Sequence, residues 1–410
     1  MKWLLLVALL YIPIRTTIRK DDYGKQPAIH NMAFSNMYSS FSYFFSRTLP
    51  FKLARREIEP LRVKLDKIQE NPQVNVVFVL GESLRYQNMQ LFGYTRATTP
   101  ELVKLSQELP MVYRKAIAGG VCTDVAIPMF INNYQSTAPM SVILSQEQCL
   151  FKLAKNNGFE THFYSAQAEG DLKHIINYIC TAAIDHMKIG PGISLIEDIE
   201  KRYYDNILLK DLEAVNFAKP QFVVLHQRGS HSPYNLRYPA DKAAFPIDPK
   251  MEVAEQMITE YDNSVAFTDQ VVSQIVRDVM KKSPFPTYVI FTSDHGQVLG
   301  ENKSWGHNDL NEFVFKIPFV FLSKTKDAIF EKVNRLPAFA THKQMSDLIV
   351  ELLGYRNPTP PTDQNRVFVM GYDLDGLEGG LWVKLKGDDI ESVTTDDLSP
   401  LNVKKVPASK

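Results

Sequence analysis

Apolar positions in the central part of this chain follow two alternating patterns. Short, nearly continuous runs rich in β-branched and aromatic residues lie at 74–80, 112–116, 160–164, 221–225, 288–292 and 317–322. Runs of this kind predict strands buried on both faces. Between them, apolar residues recur at helical spacing over 98–105, 145–156, 252–282 and 345–353. Thr98 and Glu101 stand at capping-box spacing around Pro100, while Ser145 and Gly158 mark a helix start and stop. Strands alternating with helices predict an α/β fold, a mostly parallel sheet with helices on both faces. After Gly354 the chain turns rich in Pro, Gly and Asp, which predicts a loosely ordered tail with one short strand at 381–384.

The start of the chain follows a different pattern. Residues 3–14 are almost wholly apolar, with Lys2 before them and Arg15, Arg19 and Lys20 behind. The run falls short of the ~20 residues a bilayer-spanning helix needs. It has the outline of a signal peptide, but Pro13 interrupts it and no small-x-small cleavage site follows. A buried soluble helix is a further reading. Over 31–52, Phe34, Met37, Tyr38, Phe41 and Phe45 recur at helical spacing. That stripe fits a core-facing helix or an amphipathic helix on a membrane surface, with basic Lys52, Arg55 and Arg56 beyond it. Residues 53–69 predict a charged connecting helix.

Bulk properties change this picture little. A formal net charge of +0 gives no reason to expect nucleic acid as a partner, and the chain is read as a monomer. Cys149 and Cys180 could pair in an oxidising compartment or remain reduced core thiols.

The chemistry concentrates at strand ends. Gly81-Glu82-Ser83 follows the run at 74–80, and Ser293-Asp294-His295-Gly296 follows the run at 288–292. Ligands of open α/β sheets bind at the carboxyl ends of strands, so Glu82, Asp294 and His295 can converge. Two carboxylates and an imidazole supply most of a zinc ligand set, with a hydroxyl as fourth. Thr123 opens a predicted helix at 124–131, where the ordinary role of a threonine is the N-cap; here both roles coincide. A threonine hydroxyl becomes a competent nucleophile when a dication stabilises its alkoxide. His231 lies past the strand at 221–225, and His307 lies beyond His295. His30, His162, His174 and His186 read as surface or packing residues. His226 precedes the His231 loop, and His342 reads as a cap of the late helix.

Gly81-Glu82-Ser83-Leu84-Arg85, then Leu91-Phe92-Gly93-Tyr94-Thr95-Arg96-Ala97-Thr98-Thr99-Pro100, resembles the signature of bacterial phosphoethanolamine transferases. These are sulfatase-like members of the alkaline phosphatase superfamily. The resemblance continues through Thr123 with Pro128, Gly229-Ser230-His231-Ser232-Pro233, Tyr261-Asp262-Asn263-Ser264, and Ser293-Asp294-His295-Gly296 with His307. It implies an alkaline phosphatase/sulfatase-like fold, with Zn²⁺ held by Glu82, Thr123, Asp294 and His295. Thr123 would be the nucleophile. His231 and His307 would reach the phosphoryl group, to stabilise charge, protonate a leaving group or hold a second metal. The implied donor is phosphatidylethanolamine, and the acceptor an envelope glycan or lipid: lipid A, core heptose or periplasmic glucan. The implied place is the bacterial inner membrane, with the catalytic domain facing the periplasm.

On this reading residues 1–20 are a membrane anchor or truncated transmembrane segment and 21–70 an aromatic amphipathic linker. Residues 71–355 are the catalytic domain and 356–410 its tail. Members acting on lipid A have a disulfide bracketing the nucleophile, and those positions here hold Gly119 and Met129. Sulfatases that use formylglycine need Pro and Arg after a Cys or Ser, whereas Cys122 is followed by Thr123 and Asp124. A phosphoglycerol transferase or phosphodiesterase shares the same core, and Mn²⁺ fits better there. A non-enzymatic metal-binding envelope protein is a third class, against which the intact Thr123, Glu82, Asp294 and His295 argue.

Overall fold

The computed structural model of the chain describes residues 60–396, except 138, 191–202, 359–364, 375–378 and 388, together with five isolated positions nearer the start. The apolar run at 3–14 and the aromatic stripe at 31–52 lie outside the described stretches. Among the described residues, no helix is long and apolar enough to cross a membrane.

Eight strands form the central sheet: β1 (Asn75–Gly81), β2 (Met111–Ile117), β3 (Glu160–Ala168), β4 (His186–Gly190), β5 (Gln221–His226), β6 (Thr287–Ser293), β7 (Lys316–Ser323) and β8 (Phe339–Thr341). Their order is β8-β2-β7-β6-β1-β5-β3-β4. Every pairing is parallel except those of β7, which runs antiparallel to β2 and β6. The chain leaves β6 at its carboxyl end, builds a long loop there, and re-enters the sheet from the same end as β7. That return path reverses β7.

The central strand β1 shows why its sequence is apolar throughout. Val76, Phe78 and Leu80 face one layer, where Phe78 stacks on Phe130 at 4.5 Å between ring centroids. Val77 and Val79 face the other, packed with Val272, Ile275 and Val276. Each fully buried side chain of this size contributes roughly 1.5–3 kcal/mol. The first layer is built from α2 (Thr123–Ile131), α4 (Leu150–Asn156) and α6 (His342–Leu352). The second is built from α1 (Pro100–Glu108) and α5 (Val253–Lys282). The helix α3 (Met140–Ser145) lies between α2 and α4, and short helices at Glu169–Leu172, Ile207–Glu213, Glu312–Phe315 and Ala328–Asn334 join these among the described residues.

Several expectations need correction. Thr98 and Glu101 do not form a capping box. The Thr98 hydroxyl donates to the Asn88 carbonyl at 2.6 Å, Thr99 is the N-cap, and the Glu101 and Leu102 amides donate to Asp269 of α5, each at 2.8 Å. The cap is therefore borrowed from another helix, which no local spacing reveals. Ser145 ends α3 rather than opening α4; its hydroxyl donates back to Val142, and Cys149 opens α4. Cys149 forms a disulfide with Cys180. Over 60–69 the chain is extended rather than helical, and Asp66–Lys67 pairs with Tyr355–Arg356.

The tail is also more ordered than the sequence suggests. Strands β9 (Arg366–Met370), β10 (Gly380–Lys386) and β11 (Asp389–Asp396) form an antiparallel sheet. It docks on the segment before α2: the Met370 amide donates to Gly119 at 2.9 Å, and Val121 donates to Met370 at 3.2 Å. Phe368 and Met370 pack against Cys122, Val125 and Met129 of that segment and helix.

His342 does not cap α6. Thr341 and Gln344 form the capping box, and His342 is buried inside. Its Nδ1 accepts from the Gly119 amide at 3.0 Å and its Nε2 donates to the Ser293 carbonyl at 2.9 Å. Thr341→Ala should cost about 1 kcal/mol by denaturant titration, the usual value of a lost N-cap. His342→Leu should cost more, about 2–5 kcal/mol, since it leaves a buried donor and a buried acceptor unpaired. Equal losses in the two variants would contradict this assignment.

Candidate metal centre and its surroundings

The register of β1 against β6 places Gly81 opposite Ser293, so the residues that follow, Glu82 and Asp294, leave the sheet side by side. Cross-strand bonds fix them. The Asp294 amide donates to Gly81 at 3.1 Å, and the Ser83 amide donates to Asp294 Oδ1 at 3.1 Å. Asp294 Oδ1 also accepts the His295 amide at 2.7 Å, which leaves Oδ2 aimed elsewhere. His295 Nδ1 donates to the Gly296 carbonyl at 2.8 Å, leaving Nε2 as a ligand atom.

Thr123 completes the group. Its hydroxyl lies 2.7 Å from Asp294 Oδ2, 2.9 Å from Glu82 Oε2 and 3.4 Å from His295 Nε2. Thr123 is the first residue of α2 and Cys122 the N-cap, with no side-chain capping bond. The expectation that Thr123 also caps the helix is corrected: its hydroxyl is turned to the carboxylates. Burial pushes the neighbouring Cys122 thiol upward, so it is protonated and no rival nucleophile.

The electrostatics of this group call for a cation. Glu82, Asp294 and His295 are fully buried, and His295 is the ion-pair partner of both carboxylates, at 3.3 and 3.4 Å. Burial first, and then the Glu82 charge, push Asp294 up to about 7. Burial opposes a charged His295, yet the two carboxylates hold it up at about 9. Burial also works against a charged Glu82, but the His295 hydrogen bond holds it well below the usual carboxylate range. Two buried carboxylates facing one imidazolium leave an uncompensated negative charge, and their ligand atoms lie within 4.8 Å of one another. Two carboxylate oxygens, an imidazole nitrogen and a hydroxyl fit a dication such as Zn²⁺ in number and kind.

His307 stacks near His295 at 4.5 Å between centroids, and His231 follows His307 at 5.0 Å. The structure thus brings together all the candidate residues: Glu82, Thr123, Asp294, His295, His231 and His307. Glu82, Thr123, His231 and His307 border a cavity of about 700 Å³. His174 and His226 line the same cavity. A second group, Glu160, His162 and His186, also gathers three potential ligand atoms. Its nitrogens are already bonded, His162 to Gln221 at 2.6 Å and His186 to Glu160 at 2.8 Å.

The supporting residues explain why separated motif blocks occur together. Tyr261 donates to the Ser83 carbonyl at 2.8 Å and accepts the Arg85 amide at 3.1 Å. Asp262 accepts from Asn88, Tyr94 and Arg96. Two further residues had no sequence signal. Asp205 accepts the Arg228 and Gly229 amides at 2.7 and 3.0 Å, and Arg237 donates to the His231 and Ser232 carbonyls at 2.6 and 3.0 Å. Both hold the His231 loop.

The sulfatase family model matches residues 74–355, and the chain belongs to that family. Its relatives narrow the class. It is 26% identical over 316 residues to the Kdo(2)-lipid A phosphoethanolamine 7''-transferase of Escherichia coli K12, covering 71% of this chain and 53% of that protein. The chain thus spans about half the length of the curated relatives it matches. Among solved structures, the integral membrane lipooligosaccharide phosphoethanolamine transferase A of Neisseria meningitidis matches with a TM-score of 0.60 at 19% identity. The match covers 86% of this chain and 67% of that one. The zinc complex of the periplasmic domain of EptC from Escherichia coli matches with a TM-score of 0.59 at 18% identity, covering 76% and 93%. These two establish a shared fold, the alkaline phosphatase/sulfatase-like one expected from sequence.

Gly229 tests how tightly the site is assembled. It has a φ of 53°, and a Cβ there would lie 2.5 Å from the Glu82 carbonyl oxygen. Gly229→Ala should destabilise the protein by about 1–3 kcal/mol through strain and displaced backbone, measured by chemical denaturation. Unchanged stability would show that this contact is not tight.

Proposed function

We propose that the chain is a phosphoethanolamine transferase that works through a covalent Thr123 intermediate. The observation that carries this reading is the Thr123 hydroxyl, 2.7 Å from Asp294 and 2.9 Å from Glu82 at the start of α2. A structural threonine has no reason to face two buried carboxylates. A Zn²⁺ held by Glu82, Thr123, Asp294 and His295 would supply the positive charge that makes the alkoxide accessible near neutral pH.

Thr123 Oγ1 attacks the phosphorus of phosphatidylethanolamine in line. The bond to the diacylglycerol oxygen breaks, and diacylglycerol departs with a proton delivered from the His231 and His307 side of the cavity. The product is phosphoethanolamine esterified to Thr123. An acceptor oxygen from an envelope glycan or lipid then attacks the same phosphorus and releases Thr123, its proton passing back to the same side. The α2 amides add positive potential beside the forming charge. This reading places residues 1–20 at the inner membrane and residues 71–355 on its periplasmic side, acting as a monomer.

Two experiments test it. Metal analysis of the purified chain should find one equivalent of zinc, lost in Asp294→Ala and in His295→Ala. Full zinc retention in both variants would refute the ligand assignment. Separately, incubation with labelled phosphatidylethanolamine should put label on the Thr123 peptide, and Thr123→Ala should carry none while remaining folded. Its folding should be spared because Thr123 makes no capping bond. The mass of the adduct separates phosphoethanolamine from phosphoglycerol, and normal turnover by Thr123→Ala would end the proposal.

A further inference from the structure

The cavity beside Thr123 has one wall that the transfer chemistry does not use. Arg237 lines it and is only 9% exposed. Its Nε and Nη2 serve the His231 and Ser232 carbonyls, and Nη1 meets no hydrogen-bond partner among the described residues. Arg228 lines the same cavity, with its guanidinium over the Tyr203 ring at 5.4 Å. Neither guanidinium forms an ion pair among the described residues. Of the nearby acids, Asp205 spends its oxygens on the Arg228 and Gly229 amides, and Asp171 lines the cavity without pairing with either arginine. The two charges lie close enough to act on each other: burial, and then Arg228, bring Arg237 down to about 10. Asp205, Glu82 and Asp171 offset part of this repulsion from a distance. Two adjacent guanidiniums with no direct ion pair still have a cost that an anion in contact with them would relieve.

A third group points the same way. His226 is completely buried, lines this cavity, and has no partner at Nε2 among the described residues. The Ser165 hydroxyl accepts the Gln167 amide at 3.1 Å and lies 3.1 Å from His226 Nδ1. With the Ser165 oxygen already accepting the Gln167 amide, its hydroxyl proton is available to Nδ1. That puts the imidazole proton on Nε2, where it meets no acceptor. Burial keeps this ring neutral, pushing it down to about 4. Arg228, Arg237 and His226 therefore present donors to one cavity and no acceptor.

We infer that Arg228, Arg237 and His226 form a subsite for a phosphate monoester carried by the acceptor. This rests on the transferase reading above. Phosphatidylethanolamine brings a single phosphate, and that phosphate must sit at Thr123 to react. A second anionic group in the cavity therefore belongs to the molecule that enters afterwards. A phosphorylated sugar meets the requirement, with its receiving oxygen toward Thr123 and its phosphate against the arginines. Arginine forks favour such a group because they bind it bidentately.

The test uses the full chain with zinc, and glucose 1-phosphate and glucose as probes. By calorimetry the wild type should bind glucose 1-phosphate at least tenfold more tightly than glucose. Arg228→Gln should reduce that advantage about tenfold, the size of one lost charged hydrogen bond, and Arg228→Lys should restore part of it. The same advantage in Arg228→Gln as in wild type would mean that the metal alone holds the phosphate, and would overturn the subsite. So would a wild type with no preference. Vesicles of phosphatidylglycerol form a parallel arm. If Arg228→Gln weakened vesicle binding but left glucose 1-phosphate binding unchanged, the pair would belong to a lipid surface instead. Label on Thr123 from the donor is measured on every variant. Its absence from wild type counts against the transferase reading, while the binding comparison still decides the subsite.

Discussion

The parallel pairing of β1 with β6 is the constraint on which the rest depends. Once Gly81 lies opposite Ser293, two carboxylates must emerge together at the carboxyl ends of two central strands, within a protein interior. Burying an ion costs several kcal/mol even after the surroundings relax. Only the continuous apolar packing of both sheet faces can hold such a pair in place. The site and the core are thus not separable. The same side-chain alternation that divides Val76 and Phe78 from Val77 and Val79 fixes where Glu82 begins.

Around that pair the protein spends hydrogen bonds on orientation. Asp294 uses one oxygen for the Ser83 and His295 amides and keeps the other for Thr123. His295 spends Nδ1 on Gly296. Asp205 and Arg237 hold the His231 loop, and His342 ties the Gly119 segment to the end of β6. Each reacting group is thus fixed by a partner that does not itself react.

What the sequence made legible follows from range. The central strands were readable because burial on both faces forces continuous apolar runs, and Glu82, Asp294 and His295 were readable because they end those runs. Thr123, His231 and His307 came from motif resemblance, since their convergence depends on loops without periodicity. Asp269 capping α1, Asp205 under the His231 loop and His342 beneath Gly119 were not readable: each acts on residues far away in sequence. The antiparallel course of β7 was hidden for the same reason, because an apolar run has no direction. Of the tail sheet only the strand at 381–384 was readable; its two partners lie among Pro-, Gly- and Asp-rich stretches.

That tail has a consequence for the order in which the molecule becomes competent. The segment that delivers Thr123 is paired on one side with Met370 and packed by Phe368. A chain emerging from the ribosome can pair β1 with β5 and β6 well before those residues exist. Its nucleophile lacks that support until β9 arrives. The central sheet can therefore form early while the reactive hydroxyl is locked late, so that a chain interrupted before residue 366 would have the architecture without the finished site.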